Sequence, residues 1–347
     1  DISAGADSSN AGQNAIYEYN GKLFFMARDA INNYELWSYD GTNVTLEADI
    51  AVGSDASSHA GNFGFIEYEG KLFFGANGGT GIELWSFDGI TAQLEAEINP
   101  GAGNGSSNPD QGGFAVYNGK LYFSAQSDTI GGHEFWSFDG NTATMVAEIH
   151  SGIDGSTPRN FKEFNGKLYF SATDGGAANG AELWSFDGTT VQLAANINPG
   201  PASSFAGLES GFTEYNGKLY FSAQHALGGF EIWSFDGTTA ALAADIRTGT
   251  NSSFAGDTGG FTEFNGKLYF SATSGPINYE LWSFDGTTAV QVADINVGSL
   301  PSNAGRAGFA VYDGKLYFAA STDGMNNELW SYDGINPPQL AVDINST

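Results

Sequence analysis

The side chains best equipped for chemistry here are carboxylates, and they come in sets. A glutamate precedes a Leu-Trp pair or its variant at Glu35, Glu83, Glu134, Glu182, Glu231, Glu280 and Glu328. An aspartate opens an Asp-Gly pair at Asp40, Asp88, Asp139, Asp187, Asp236, Asp285 and Asp333. Five more acids, Glu18, Glu67, Glu163, Glu214 and Glu263, stand just ahead of the Asn-Gly or Glu-Gly pairs. Gathered in one place, such groups could hold a cation or raise one another's pKa. An acid repeated in every unit is more simply a building part. The glutamate before Leu-Trp is expected to satisfy loop amides, and the Asp-Gly aspartate to hold its own turn.

Other chemistry is sparse. The four histidines, His59, His133, His150 and His225, fall in four different units. There is no nucleophile elbow, phosphate loop or metal-binding helix pattern, so no enzyme is expected and no cofactor is required. Loop Asp, Asn and Ser oxygens suit a divalent cation such as calcium, although no loop has the alternating spacing of an EF-hand. Seven tryptophans, Trp37, Trp85, Trp136, Trp184, Trp233, Trp282 and Trp330, keep the same beat as the acids. Their place inside a strand suits packing between sheets better than stacking on sugars.

Residues that differ from unit to unit are the better candidates for recognition. In the long loops between units these are Asp55, His59, Phe205 and Phe254. In the shorter loops within units they are Asp29, Asn32, Asp128, His133, Asp174, His225, Asn278, Asp323 and Asn326. Variable loops on a rigid scaffold are where binding usually sits.

The elements that position them follow from the repeat. Gly-Lys-Leu recurs with glycines at Gly21, Gly70, Gly119, Gly166, Gly217, Gly266 and Gly314, a period near 48 residues. That period fits a propeller array. In one unit "GFTEYN" (211–216) alternates, Asn-Gly forms a hairpin, "KLYFSA" (218–223) is a second strand, "EIWSFD" (231–236) a third, and "AALAADI" (240–246) a fourth. Leu219, Phe221 and Ala223 point one way, Tyr220 and Ser222 the other. Both faces are largely apolar and need neighbours. The prediction is an all-β, seven-bladed β-propeller with four antiparallel strands per blade, the blades in phase with the repeats. The repeats run 1–48, 49–96, 97–147, 148–195, 196–244, 245–293 and 294–342, with the start of an eighth at 343–347, all in one domain, 1–347. The lysines opening strand two are expected to pair with the aspartates closing strand three, as Lys167 with Asp187, Lys218 with Asp236 and Lys267 with Asp285.

"ELWSYDGT" (35–42), "ELWSFDGT" (182–189 and 280–287) and "EIWSFDGT" (231–238), with "GKLYFSA" before them, resemble the bacterial ELWxxDGT-repeat family. The resemblance covers essentially the whole chain and departs mildly at Ile90, Phe135 and Ile335. It implies an extracellular propeller and brings no settled activity.

Bulk properties narrow the partners. The 347 residues carry a formal charge of −28, which repels nucleic acid. There are no cysteines, and no apolar run is long enough to insert in a membrane. The chain begins at Asp1 without a methionine, which favours a removed leader and secretion to the extracellular space or cell surface. The resulting expectation is a secreted, non-enzymatic binding or adhesion propeller that recognises a glycan or an extracellular protein through its loop face. The alternative is a structural subunit of an extracellular filament or matrix, self-associating through terminal "DI" segments. A glycan-active hydrolase or lyase is the third reading.

Overall fold

Asn20 and Gly21 both adopt left-handed φ values, 50° and 74°, as the tight hairpin turn of an Asn-Gly pair requires. The turn joins β1 (Ile16–Tyr19) to β2 (Lys22–Arg28), pairing Tyr19 with Lys22. Strands β3 (Tyr34–Tyr39) and β4 (Val44–Ala48) complete the sheet. Asp40 closes the β3–β4 turn, its Oδ1 accepting from Thr42 N at 2.8 Å and Asn43 N at 2.6 Å. Those two bonds hold its carboxyl below the usual range.

The computed structural model describes residues 2–3, 8–29, 33–52, 57–100, 105–175, 180–200, 202–225, 228–276, 278–298 and 300–344. Their strands form seven four-stranded antiparallel sheets, each in simple sequential order and each built from one repeat. The protein is a seven-bladed β-propeller, in phase with its sequence repeats. The strands of the first blade lie between Ile16 and Ala48 and those of the seventh between Phe309 and Val342.

The chain divides into two compact units. One comprises Asp1–Glu163, Ala172–Gly176 and Asp187–Val191; the other comprises Phe164–Ser171, Ala177–Phe186 and Gln192–Thr347. In the first, Tyr19, Phe24 and Leu36 on one face of blade 1 pack on Phe65, Leu72, Phe74 and Phe87 of blade 2. Ile50, from the connection between the blades, seals the contact. In the second, Tyr215, Tyr220 and Ile232 of blade 5 meet Phe261, Leu268, Phe270 and Phe284 of blade 6 in the same way. A polar latch accompanies the packing: Tyr19 Oη donates to Gly70 O at 2.7 Å, and Tyr215 Oη to Gly266 O at 2.6 Å. Buried tyrosines need such partners. The tryptophans join this packing, Trp85 against the first cluster and Trp282 within the second.

In blades 1 and 2 the lysine that opens the second strand reaches the fourth strand. Lys22 Nζ meets Glu47 Oε1 at 2.7 Å and Lys71 Nζ meets Glu95 Oε1 at 2.8 Å. A bulge presents these glutamates. Leu36 pairs with Ala48 and Trp37 with Leu46, leaving Glu47 as the extra residue. Lys218 and Lys267 act on Asp236 and Asp285 only through their field.

Candidate functional site

The glutamate before Leu-Trp is turned inward and fixes the loop face. Glu35 Oε2 accepts from Ile50 N at 2.9 Å and Oε1 from Ser58 N at 3.0 Å. Glu182 does the same with Ile197 N at 2.7 Å and Ser204 N at 3.0 Å. Glu231 holds Ile246 N and Ser253 N, both at 2.8 Å. Burial pushes the pKa of Glu35, Glu182 and Glu231 up, and the donated hydrogen bonds pull it back. These acids are occupied in tying the crossover to the next blade's loop.

That tie places two positions side by side around the loop face. The residue after the held serine takes a left-handed φ, 53° at His59, 53° at Phe205 and 49° at Phe254. Its neighbour is the residue preceding the glutamate that holds that serine. Phe254 N donates to Phe230 O at 3.2 Å, and His59 N to Tyr34 O at 3.2 Å. In blade 1 to blade 2 the pair is Tyr34 stacked on His59, ring centroids 5.5 Å apart.

In the second unit the same positions are aromatic in succession. Phe205 stacks on Phe230 at 6.0 Å, Phe230 on Phe254 at 5.7 Å, and Phe254 leans on Tyr279 at 6.4 Å. The Arg306 guanidinium lies 4.3 Å from the Tyr279 ring centre. Beside this ladder is a cavity of about 340 Å³ lined by Phe205, Phe230, Phe254, Ser222, Glu209 and Asp257. Ser222 Oγ is buried there and makes no hydrogen bond among the described residues. Burial raises the Asp257 pKa, and Arg306 Nη2 at 3.9 Å draws it back down. The left-handed φ recurs at this position in every blade, at Asn10, Asn108, Thr157 and Asn303 as well, so it belongs to the scaffold. The cavity thus combines apolar walls with two carboxylates in its lining.

Of the residues singled out from sequence, Phe205 and Phe254 come together in this cavity. His59 holds the equivalent place in the first unit. His133 occupies the position of Phe230 in blade 3. Burial, with the Arg159 charge adding to it, brings its pKa down to about 4. The short-loop residues are spread one or two to a blade. Asp29 Oδ1 accepts from Asn33 N at 3.0 Å, and Asn278 Nδ2 donates to Gly298 O at 3.3 Å. Asp323 accepts from Met325 N and Asn326 N, both at 2.8 Å, and Asn326 Nδ2 returns to its carboxylate. Asp128 is exposed at a hairpin tip, and Asp174 follows the second strand of blade 4. His225 leans on Trp233 beside a cavity of about 160 Å³ that Glu231 and Asp245 also line. Asn32, Asp55 and Asp1 lie outside the described residues. Among the described residues no group of three or more acids and histidines is placed to hold a metal ion. No helix is long and apolar enough to cross a membrane. Glu18, Glu67, Glu163, Glu214 and Glu263 are exposed on their edge strands.

Phe230, Glu209, Asp257 and Ser222 were not singled out from sequence. Phe230 carried a signal: residues before the glutamates read Tyr34, Ile82, His133, Ala181, Phe230 and Tyr279, aromatic twice in succession only in blades 5 and 6.

No protein-family model matches the chain, and no curated protein does. Solved structures do. A puromycin hydrolase aligns with a TM-score of 0.54 and 13% identity, over 98% of this chain and 54% of that one. A prolyl endopeptidase aligns at 0.54 and 10%, over 95% and 50%. A Mycobacterium tuberculosis puromycin-hydrolysing peptidase aligns at 0.51 and 8%, over 94% and 52%. The chain thus spans about half the length of these peptidases. At such identity the likeness shows the fold.

These findings correct the expected function. The similar structures are peptidases, where a glycan or surface-protein adhesin, a filament subunit or a glycan-active enzyme had been expected.

Proposed function

We propose that this chain is the peptide-holding propeller of a peptidase, with hydrolysis carried out by a separate catalytic unit. The observation that carries the reading is the cavity lined by Phe205, Phe230 and Phe254 together with the acids Glu209 and Asp257. Its volume of about 340 Å³ is at the small end for ligand sites and suits one bulky residue of a peptide. The rings receive the apolar side chain and the carboxylates the amino group. The likeness to a puromycin hydrolase and a prolyl endopeptidase supports the class of partner unit.

Calorimetric titration with phenylalaninamide tests this. Saturable binding is expected, with Phe230→Ala weakening it tenfold or more. N-acetylphenylalaninamide, which lacks the charge, is expected to bind about tenfold more weakly, the worth of one charge-assisted contact. Asp257→Asn then narrows the gap between the two ligands. Binding that Phe230→Ala leaves unchanged, or no binding of either compound, would sink the proposal.

A further inference from the structure

One loop position keeps its backbone from blade to blade while its side chain changes. Gln13, Asn62, Gln111, Leu208, Asp257 and Arg306 each donate their N–H to the carbonyl three residues before, at 3.0 to 3.3 Å. Of these only Asp257 and Arg306 are charged. They are opposite in sign, and they stand in the consecutive loops that lead into blades 6 and 7.

Arg306 is fixed in place without closing on Asp257. Its carbonyl accepts from Thr258 Oγ1 at 2.7 Å, and its guanidinium lies 4.3 Å from the Tyr279 ring centre. Nη2 stops 3.9 Å from Asp257 Oδ2, beyond hydrogen-bond reach. The two side chains stay 37% and 22% exposed, so their direct attraction contributes little. The Tyr279 ring instead holds the cation where its donor fork can take a carboxylate. Asp257 and Thr258 also line the cavity of Phe205, Phe230 and Phe254. An apolar hollow therefore has one negative and one positive group beside it. They are a few ångströms apart, as are the ammonium and carboxylate of an α-amino acid.

We propose that the preferred ligand of this site is a single aromatic α-amino acid with both its ammonium and its carboxylate free. The inference rests on the reading of the cavity as a holder of an aromatic residue, and it adds Arg306 as the residue that sets specificity. The ring enters among Phe205, Phe230 and Phe254, the ammonium meets Asp257 and Glu209, and the carboxylate meets Arg306. The first residue of a peptide satisfies the ring and ammonium contacts. The carboxylate contact arises only when water cleaves the bond that follows, turning the amide carbonyl into an acid. Arg306 thus favours the released amino acid over the peptide, which makes the cavity a product site. In a chain of −28, an isolated carboxylate is otherwise repelled.

Calorimetric titration of the full chain with phenylalanine and with phenylalaninamide, which lacks only the carboxylate, tests it. Phenylalanine is expected to bind about tenfold more tightly, the worth of one charge-assisted contact. Arg306→Gln, checked for native tryptophan fluorescence, removes that advantage and binds phenylalaninamide no more weakly than the unaltered chain does. Arg306→Lys, which keeps the charge, retains part of the advantage. If phenylalaninamide binds in a Phe230-dependent way and phenylalanine gains nothing over it, this inference is overturned and the peptide cavity stands. An advantage that Arg306→Gln leaves intact has the same meaning. Failure of both ligands to bind would overturn both readings.

Discussion

Replacing Asp110 by asparagine is expected to remove a pH dependence from the stability of this protein. In most blades the position of Asp110 is a glycine whose N–H reaches across its own sheet, as Gly61 N does to Gly75 O at 2.9 Å and Gly207 N to Ser222 O at 3.0 Å. In blade 3 an aspartate stands there, and its carboxylate lies fully buried between blades 2 and 3. Phe63 N at 3.3 Å and Gly75 N donate to it, while Oδ1 has no hydrogen-bond partner. Burial wins over these bonds, and the pKa rises from 3.8 to about 6. The native state therefore holds a proton that the unfolded chain has released between about pH 4 and pH 6. Stability from this group is fully present below that window and is lost as pH rises through it. A rise of that size is worth about 3 kcal/mol. Urea unfolding followed by tryptophan fluorescence from pH 4 to pH 7.5 reads it directly. The raised glutamates are common to both proteins, so the difference between wild type and Asp110→Asn isolates the one carboxyl. Wild type is expected to lose about 3 kcal/mol relative to the variant across the window. Parallel curves would refute the assignment of a buried, neutral-pH-strained carboxylate.

Gly75 makes room for Asp110, since a Cβ there would lie 2.5 Å from Asp110 Oδ1. Gly75→Ser, which installs the residue found at Ser124, Ser171, Ser222 and Ser271, is expected to cost about 1–3 kcal/mol in thermal or urea unfolding. Asp110→Gly in the same chain should recover most of that loss, and two additive effects would show that the positions are uncoupled. Glu182→Ala leaves Ile197 N and Ser204 N without their acceptor and is expected to destabilise by about 2–4 kcal/mol. Glu182→Gln keeps one acceptor oxygen and should cost less; equal losses would mean that the carboxylate's second bond contributes nothing.

The blades were legible because each is specified by short-range chemistry repeated seven times. An Asn-Gly pair can only be a tight turn at the φ values seen at Asn20 and Gly21, and the alternation around Leu219 and Tyr220 puts apolar groups on both faces. What the glutamates hold was also readable in kind, because a charge repeated in every blade needs a partner repeated in every blade, and backbone N–H groups are the only donors so regular. The ion pairs of Lys22 and Lys71 with Glu47 and Glu95 were not legible, because a bulge at Glu47 is a register event that alternation alone does not encode. The cavity was half visible. Phe205 and Phe254 stand out as loop aromatics, but they are 49 residues apart and meet only through Phe230, a strand residue whose backbone carbonyl happens to carry the neighbouring loop.

A general consequence follows for where this chain keeps its function. Positions fixed in all seven units are consumed by the scaffold: Glu35 and its counterparts by loop amides, Asp40 and its counterparts by turns. Whatever distinguishes this protein must then reside where one blade departs from the others. Two sets of departures fit together. Asp110 and Gly75 compensate each other across blades 2 and 3, and Phe205, Phe230, Phe254 and Tyr279 form one continuous ladder. In each set one exception makes room for, or stacks on, another, so these are the positions at which substitution can separate function from fold.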